Sequence, residues 1–294
     1  IGLLHEGPEK ELAEKMLGPA SFAFTFNNPT GYFRLNLSDP AQREICLRLL
    51  DFRNELVPRL LQLRRYYAGR YGGRREDEMD HADLERVWRN GRYGGQPMRY
   101  RRDWAVPFSG ILELDFVEIT KPDPHGDVKD AGYREMGSVD FERFLYFLNK
   151  EAPNDPAGQV ALVRSFSNTG FFTCAQIAKL VDLHEHPNLR VELMVIAFAR
   201  TIDWHGLNNV IYRLLPVERK QLYNRLGLIN LFDETMAVDY YELDLAQASQ
   251  RWIMQEMMHL AANEPGNNMV DCTLDGVDFD PPAGWLQDAP KNGL

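Results

Sequence analysis

Apolar residues alternate with polar ones in two short stretches of the chain and recur at helical spacing in a long stretch after them. The first stretch, residues 31–37, reads Gly-Tyr-Phe-Arg-Leu-Asn-Leu and predicts a short strand. Ser38-Asp39-Pro40 follows with an N-cap and a first-turn proline, so an amphipathic helix should begin there. Residues 111–117 predict a second clear strand. These elements and the helical stretch together predict an α+β protein.

From about Met136 to Leu226 the helical spacing predicts six helices in three pairs. The second helix of each pair opens on a proline, and the third helix of the block opens on a capping box from Thr173 to Gln176. The last helix should end at Gly227. The pairs repeat about every 30 residues, the range of helical-hairpin repeats, so they are predicted to stack on one another. The prolines are Pro156, Pro187 and Pro216.

The strand–helix pattern of residues 31–50 occurs a second time at residues 239–258. The likeness resumes further along each copy with a spaced Gly-Trp-Pro-Gly set. We therefore predict two copies of a strand–helix–strand module that flank the central helical-hairpin repeat block. The second copy reaches Leu294 where the strand corresponding to residues 111–117 should begin, so we expect the natural polypeptide to continue. The matched sets are Gly95, Trp104, Pro107, Gly110 and Gly276, Trp285, Pro290, Gly293.

These patterns predict four segments. Residues 1–20 are an N-terminal linker, and residues 21–130 are the first module, with an Arg/Gly/Tyr-rich insertion at about 64–102. Residues 134–230 are the helical-repeat domain, and residues 231–294 are the second module, truncated at its C-terminal side.

The helical block resembles a family of all-helical domains of unknown function. The likeness covers about residues 134–226 and is carried by three short motifs. Phe-Thr-Cys-Ala-Gln at the start of a helix is the most specific of them. The resemblance implies an all-helical fold and brings no catalytic residue with it. The motifs are Met136-Gly137-Ser138-Val139-Asp140-Phe141, Phe172-Thr173-Cys174-Ala175-Gln176-Ile177 and Ile202-Asp203-Trp204.

A formal net charge of −10 argues against general binding to nucleic acid or to anionic membranes. No apolar run approaches the ~20 residues of a membrane span. The three cysteines are far apart and odd in number, which fits a reducing compartment, the cytoplasm, better than a disulfide scaffold.

One charged segment stands out, because residues 59–102 carry many arginines and no lysine, and Gly-Arg-Tyr-Gly-Gly occurs in it twice. Three interpretations remain open: a plain surface insertion, a contact with an acidic protein partner through paired arginines, and binding of single-stranded RNA by stacking and phosphate contacts. Arginine and aromatic side chains dominate interface energetics, which makes them the candidate partner contacts. The candidates are Arg64, Arg65, Arg70, Arg74, Arg75, Trp88, Tyr93 and Tyr100.

The sequence contains only weak candidates for a metal site or a catalytic site. His184 and His186 are the best metal ligands, but residues at i and i+2 do not share a helix face. Walker, dinucleotide-binding and Gly-x-Ser-x-Gly motifs are absent, so no catalytic, cofactor-binding or metal residue is assigned and no cofactor is expected. The sequence therefore predicts a non-enzymatic scaffold that contacts other protein subunits in a larger assembly. RNA binding by residues 59–102 and an enzyme with an unrecognised site are the alternatives.

Overall fold

The computed structural model describes residues 27–71, 86–100, 104–119, 136–233, 237, 239–263 and 269–279, with the backbone alone for residues 57–71. The chain divides into two compact units: unit 1 is Ile1–Leu56 with Arg86–Gly227, and unit 2 is Val57–Glu85 with Leu228–Leu294. The first predicted module and the predicted helical domain, which the sequence pattern separates near residue 134, largely share unit 1. Mixed α and β structure confirms the α+β class.

Unit 1 contains an antiparallel sheet of the strands β1 (Gly31–Asn36), β2 (Trp88–Tyr93), β3 (Gln96–Pro97) and β4 (Ile111–Phe116). Their order across the sheet is β1-β4-β2-β3. Its core face is apolar because Phe33 pairs with Leu114 and Leu35 pairs with Leu112 across β1 and β4, and all four side chains are buried. Both strands were predicted. The hairpin β2–β3 was not, because its residues fell in the predicted insertion; β2 instead lies inside the sheet, between β4 and β3.

Helix α1 (Pro40–Tyr71) begins at the predicted proline. The carboxylate of Asp39 accepts a 2.8 Å hydrogen bond from the backbone N–H of Ala41, which satisfies one of the donors exposed at a helix start. The helix is longer than the predicted module allowed and contains Arg64, Arg65 and Arg70. These three arginines therefore belong to a regular helix and not to an insertion loop.

The residues of the predicted helical block form the helices α2 (Ser138–Glu151), α3 (Pro156–Phe166), α4 (Cys174–Asp182), α5 (Pro187–Phe198), α6 (Leu207–Ile211) and α7 (Pro216–Leu226). Their grouping as repeated hairpins stays a prediction. Helices α3, α5 and α7 begin at the three predicted prolines, and the capping box of Thr173 and Gln176 is present at the start of α4. The fifth predicted helix is a 3-10 turn (Trp204–Gly206) followed by the short helix α6.

Backbone hydrogen bonds join the segments that precede the first helix of each hairpin. Phe172 N–H donates to Arg200 O at 2.8 Å, and Ile202 N–H donates to Phe172 O at 3.0 Å. One hairpin earlier, Met136 N–H donates to Phe171 O at 3.3 Å, and the side-chain amide of Gln176 donates to Met136 O at 2.6 Å. These bonds fix the stacking of successive hairpins at one edge of the block.

A buried ionic cluster joins the sheet to the helical block within unit 1. Glu192 on α5 accepts from Arg164 on α3 at 2.9 Å and from Arg225 on α7 at 2.5 Å. Arg225 also donates from Nε to Asp115 on β4 at 3.1 Å. Arg164 donates to the carbonyl of Thr30, directly before β1. All four charged side chains are buried, so removal of one leaves an uncompensated charge in a low-dielectric interior.

The pKa of Glu192 shows which influence dominates in this cluster. Burial alone raises the pKa of a carboxyl group, but Arg225 and Arg164 act against it by charge and by hydrogen bonds and hold the pKa of Glu192 at about 2. Glu192 is therefore ionised throughout the physiological range.

Unit 2 is built around helices α8 (Leu228–Leu231) and α9 (Ala248–Asn263). Ile229 and Ile253 form the centre of its small core, and Leu243 and Trp252 pack against that centre. The hairpin of β5 (Thr273–Leu274) and β6 (Val277–Asp278) follows. Residues 239–245, predicted as the strand of the second module copy, lie outside both strands.

The junction before α9 repeats the hydrogen bonds of the junction before α1. In unit 1, Asn36 N–H donates to the side-chain carbonyl of Gln42 at 2.8 Å, and the Asn36 side chain accepts from Ser38 N–H at 3.1 Å. In unit 2, Asp244 N–H donates to Gln250 at 2.6 Å. The Asp244 side chain accepts from the backbone N–H two residues on, at 2.9 Å.

The two short hairpins also share their backbone geometry. Gly95 and Gly276, matched in the sequence, have φ of 79° and 78°, in the left-handed region that a tight two-residue turn requires. Five positions earlier, Asn90 and Asp271 have φ of 51° and 52°. Each hairpin is closed by a further bond, Met98 N–H to Gly91 O at 2.7 Å and Phe279 N–H to Cys272 O at 2.8 Å.

The Glu192→Ala substitution should lower the free energy of unfolding by about 3–5 kcal/mol, because it leaves Arg164 and Arg225 buried without their shared carboxylate. The matched control is Glu142→Ala, which removes a surface ion pair with Lys179 and should change it by less than about 1 kcal/mol. Urea unfolding of the three proteins measures both effects. Equal losses in the two variants would contradict a structural role of the cluster.

The low pKa of Glu192 also predicts a pH dependence of stability. Because this pKa falls from 4.5 to about 2 on folding, the carboxylate stabilises the fold fully above pH 4.5, and the contribution is lost as the pH falls towards 2. Urea unfolding between pH 6 and pH 3 should therefore show a shallower acid slope for Glu192→Gln than for the natural sequence. Parallel slopes for the two proteins would contradict the ionised cluster.

Candidate functional site

Two regions qualify as candidate contact surfaces. One is the arginine–aromatic segment predicted from the sequence, of which residues 59–85 belong to unit 2 and residues 86–102 to unit 1. The other consists of the connections between paired helices in unit 1. Where the structure describes the predicted segment, residues 87–89 are buried, whereas residues 94–97 are exposed. Trp88 is buried, and its ring packs 5.3 Å from Tyr100 and 6.0 Å from Trp104, measured between ring centroids. Arg53 lies over Tyr100 at 4.3 Å and donates to its hydroxyl at 3.3 Å. Trp88 and Tyr100 are therefore parts of one packed cluster.

The other predicted contact residues divide into two groups. Tyr93 packs on Gly110 and donates its hydroxyl to Ser109 O at 2.8 Å, so its ring closes a turn of the sheet. Arg74 and Arg75 lie outside the described residues, as do the side chains of Arg64, Arg65 and Arg70. The aromatic candidates thus contact other residues of the chain, and a partner contact by these arginines stays a prediction.

Two arginines of the same segment hold backbone carbonyls. Arg89 donates to Asn224 O through Nε and Nη2, both at 3.3 Å, and Arg92 donates to Gly95 O at 2.9 Å. A guanidinium committed to a carbonyl is less available to stack on a base or to bind a phosphate. The described residues therefore give no observation that favours RNA binding.

A second surface, which the sequence reasoning missed, lies at the connections between the paired helices. We define the hairpin-end surface as the exposed apolar side chains of the α4–α5 and α6–α7 connections and the first turn of α7. Leu215 and Val217 are 53% and 58% exposed. A sequence signal existed for Val217, because it falls outside the row of buried positions Glu218, Leu222 and Leu226 on α7. The surface comprises Leu183, Tyr212, Leu215 and Val217.

One ion pair joins the two connections of the hairpin-end surface, and hydrogen bonds to backbone groups add to it. Arg213 donates two hydrogen bonds to the carboxylate of Asp182, from Nη2 at 2.5 Å and from Nε at 3.3 Å. Arg190 donates to Arg213 O at 2.7 Å, and Glu218 accepts from Leu215 N–H at 2.6 Å. Leu183 directly follows Asp182, and Leu215 lies two residues after Arg213. The apolar side chains are therefore presented on a braced frame, with both signs of charge beside them.

The metal candidate His184 and the cysteine Cys174 both lie in buried surroundings. His184 is buried, and burial lowers its pKa, which favours the neutral ring. Within the described ranges, no three His, Cys, Asp or Glu side chains come together as a metal site. Cys174 donates its thiol to Asp203 O at 3.1 Å, and burial and Asp203 raise the pKa of the thiol to about 12. An activated nucleophile needs the opposite shift.

Comparison with protein-family models, with curated proteins and with solved structures finds no significant match to this chain. The resemblance of the helical block to a domain family therefore remains a prediction. None of the helices in the described ranges combines the length and the apolar character that crossing a bilayer requires.

The cysteine environments predict an order of reactivity. Burial raises the pKa of Cys46 to about 12, as it does with Asp203 for Cys174, while Cys272 is partly exposed. At pH 8 a disulfide-exchange reagent should titrate one of the three thiols quickly and the other two only after denaturant is added. A Cys272→Ser variant should lose the fast phase. A fast phase that persists in that variant would contradict the described packing of Cys46 or Cys174.

Proposed function

We propose that this chain is a non-enzymatic scaffold subunit that binds other proteins within a larger assembly. The observation that carries the proposal is the hairpin-end surface. It places exposed leucine, valine and tyrosine side chains on stacked helical hairpins that ion pairs hold in place. Clustered apolar side chains rimmed by polar ones are typical of protein contact sites. The frame is held in place before any partner arrives, so little conformational entropy is lost on binding.

The rigid connection between the sheet and the helices supports this role. Arg225 and Arg164 connect β4 and the start of β1 to the helical block through Glu192. A partner bound at the hairpin-end surface is thereby held at a fixed spacing from any partner bound at the sheet. Such fixed spacing is what a scaffold supplies.

We also propose that units 1 and 2 carry two copies of one module, and that a scaffold uses both. The support is the repeated junction before α1 and α9 and the matching φ angles of the two hairpins. Chance likeness of a strand–helix pattern does not by itself reproduce side-chain-to-backbone bonds at matching positions. Duplication gives the scaffold a second surface related to the first but with different side chains.

The hairpin-end surface can be tested by substitution. The double variant Leu215→Asp/Val217→Asp should fold normally, because both side chains are more than half exposed. It should release the stoichiometric partner from complexes isolated by gentle native purification, since two buried carboxylates weaken an apolar contact by well over 10-fold. Size-exclusion chromatography with mass spectrometry of the tagged chain measures this loss.

The matched control is Val139→Asp on α2, which replaces an equally exposed apolar side chain on the first hairpin and should leave the complex intact. Circular dichroism melts confirm that all three proteins fold. If the natural chain elutes as a free monomer, the scaffold proposal is wrong. If both variants retain the partner, the contact lies elsewhere and the hairpin-end surface is not the carrier of the function.

A further inference from the structure

The turn before β4 presents a phenylalanine side chain to solvent. Phe108 is 82% exposed, the highest value for a large apolar side chain among the described residues. A single exposed apolar residue is common on protein surfaces and by itself indicates nothing. What distinguishes Phe108 is that hydrogen bonds from other elements of unit 1 hold the backbone on both sides of it. We call residues 106–110 the Phe108 turn.

Arg43 on α1 holds the backbone on the N-terminal side of Phe108. Its Nη2 donates to the carbonyl of Val106 at 3.2 Å, and its Nε donates to the carbonyl of Pro107 at 3.1 Å. Because the donor is charged, these bonds are stronger than those between neutral groups. The same guanidinium group lies over the Phe108 ring, 4.2 Å from its centroid, so Arg43 orients the side chain as well as the backbone.

The sheet holds the backbone on the C-terminal side of Phe108. The hydroxyl of Tyr93 donates to the carbonyl of Ser109 at 2.8 Å, and Leu37 N–H donates to the carbonyl of Gly110 at 2.8 Å. Gly110 has a φ of 98°, and a Cβ at this position would lie 2.8 Å from the Tyr93 ring, so the turn requires glycine there. Phe108 therefore points into solvent from a turn whose conformation is fixed at both ends.

A side chain fixed in this way is suited to bind a partner. Phenylalanine has few rotamers, and the contact with Arg43 restricts them further, so little conformational entropy is lost when a partner covers the ring. The energetically dominant residues of protein interfaces fill well-packed pockets of the partner, and a buried aromatic ring brings a large apolar area into contact. The geometry of the Phe108 turn therefore fits an anchor residue that enters an apolar pocket.

The charge beside the ring indicates what the rim of such a pocket should contain. Arg43 uses Nε and Nη2 for the turn, whereas its Nη1 donates no hydrogen bond within the part of the chain that the structure describes. Glu44, the next residue, forms a 3.0 Å ion pair with Arg48 instead. A carboxylate is the acceptor that guanidinium groups bind best, so a partner covering Phe108 should bring one next to Arg43.

A lipid surface also takes up exposed aromatic side chains, but the surroundings of Phe108 favour a protein. Segments that bind membranes combine several exposed apolar residues with clustered basic ones. In the Phe108 turn only one apolar side chain is mostly exposed, and Asp39 and Glu44 lie close to Arg43 in the sequence. The net charge of −10 likewise opposes binding to anionic lipids.

We propose that Phe108 inserts into an apolar pocket of a partner protein and that a carboxylate at the rim of this pocket binds Arg43. The sheet of unit 1 thereby carries a contact of its own, separate from the hairpin-end surface. The inference rests on the proposed scaffold function for the existence of a partner. Its structural premise, a fixed turn around an exposed phenylalanine, does not depend on any partner.

Limited digestion of the full chain with chymotrypsin tests the fixed turn. This protease cleaves after exposed phenylalanine where the backbone can open locally, so the natural chain should be cut slowly at Phe108. Arg43→Ala should speed this cleavage by at least about tenfold, because two charge-assisted hydrogen bonds are lost. The matched control Arg48→Ala removes only a surface pair on the same helix and should leave the rate unchanged. Mass spectrometry measures the rates, and cleavage at the buried Phe116 reports global unfolding.

Photo-crosslinking of the native complex identifies the partner. The probe is the full chain with p-benzoylphenylalanine in place of Phe108, and the control carries it in place of Tyr146, which is 70% exposed on α2. Position 108 should crosslink to one stoichiometric protein, at apolar residues beside an aspartate or glutamate, and position 146 should not.

Calorimetric titration of the chain with the purified crosslinked protein then measures affinity. Phe108→Ala should weaken binding by about 30-fold, as expected for an anchor residue, and Tyr146→Ala should not change it. Replacement of the partner's carboxylate by its amide should weaken binding roughly fivefold, because Arg43 loses its charged acceptor.

Several results would overturn the inference. They are rapid cleavage of the natural chain at Phe108, equal rates in Arg43→Ala and Arg48→Ala, no crosslink from position 108, crosslinks to lipid or to a second copy only, and equal affinity of Phe108→Ala. If the inference fails in one of these ways while Leu215→Asp/Val217→Asp still releases the partner, the scaffold proposal stands. If the natural chain is a free monomer, both proposals are wrong.

Discussion

The carboxylate of Glu192 is the interaction on which unit 1 depends. It is shared by two arginines from different helices, and one of them extends the contact to Asp115 in the sheet. Two buried positive charges without this acceptor would be strongly unfavourable, whereas together the groups satisfy most of one another's hydrogen-bonding capacity. The cluster thereby fixes the position of the β1–β4 edge against three helices of the hairpin stack. A purely apolar junction would permit sliding that these directional bonds prevent.

The helical block was predictable because its signals are local. A proline at the start of α3, α5 and α7 and the Thr173–Gln176 capping box act within one turn of chain, so the helix starts follow directly from the sequence. The two strands with alternating apolar residues were predictable for the same reason. The α+β class followed from these elements.

The ionic cluster and the hairpin β2–β3 could not be predicted in this way. Arg164, Glu192 and Arg225 lie far apart in the sequence, and each looks like an ordinary surface residue of an amphipathic helix. Their burial arises only from the way the hairpins stack on the sheet. Residues 88–97 share the arginine and glycine content of a surface insertion, and that composition concealed a tight turn at Gly94–Gly95. The contact candidates Trp88 and Tyr100 were wrongly placed for the same reason: Trp88 faces the interior from β2, and Tyr100 packs against its ring.

Because Glu192 is shared between hairpins, the position at which the chain is cut into fragments determines which partners of the cluster are kept. A fragment cut at the sequence-predicted boundary near residue 134 would keep Arg164, Glu192 and Arg225 but lose Asp115 and the Thr30 carbonyl. The surface that the sheet normally covers would then hold two guanidinium groups and only one carboxylate. It would therefore have an excess of positive charge where the intact unit excludes water. We therefore expect the sheet and the helices of unit 1 to unfold together, so that an exchange of segments between related proteins would have to include both.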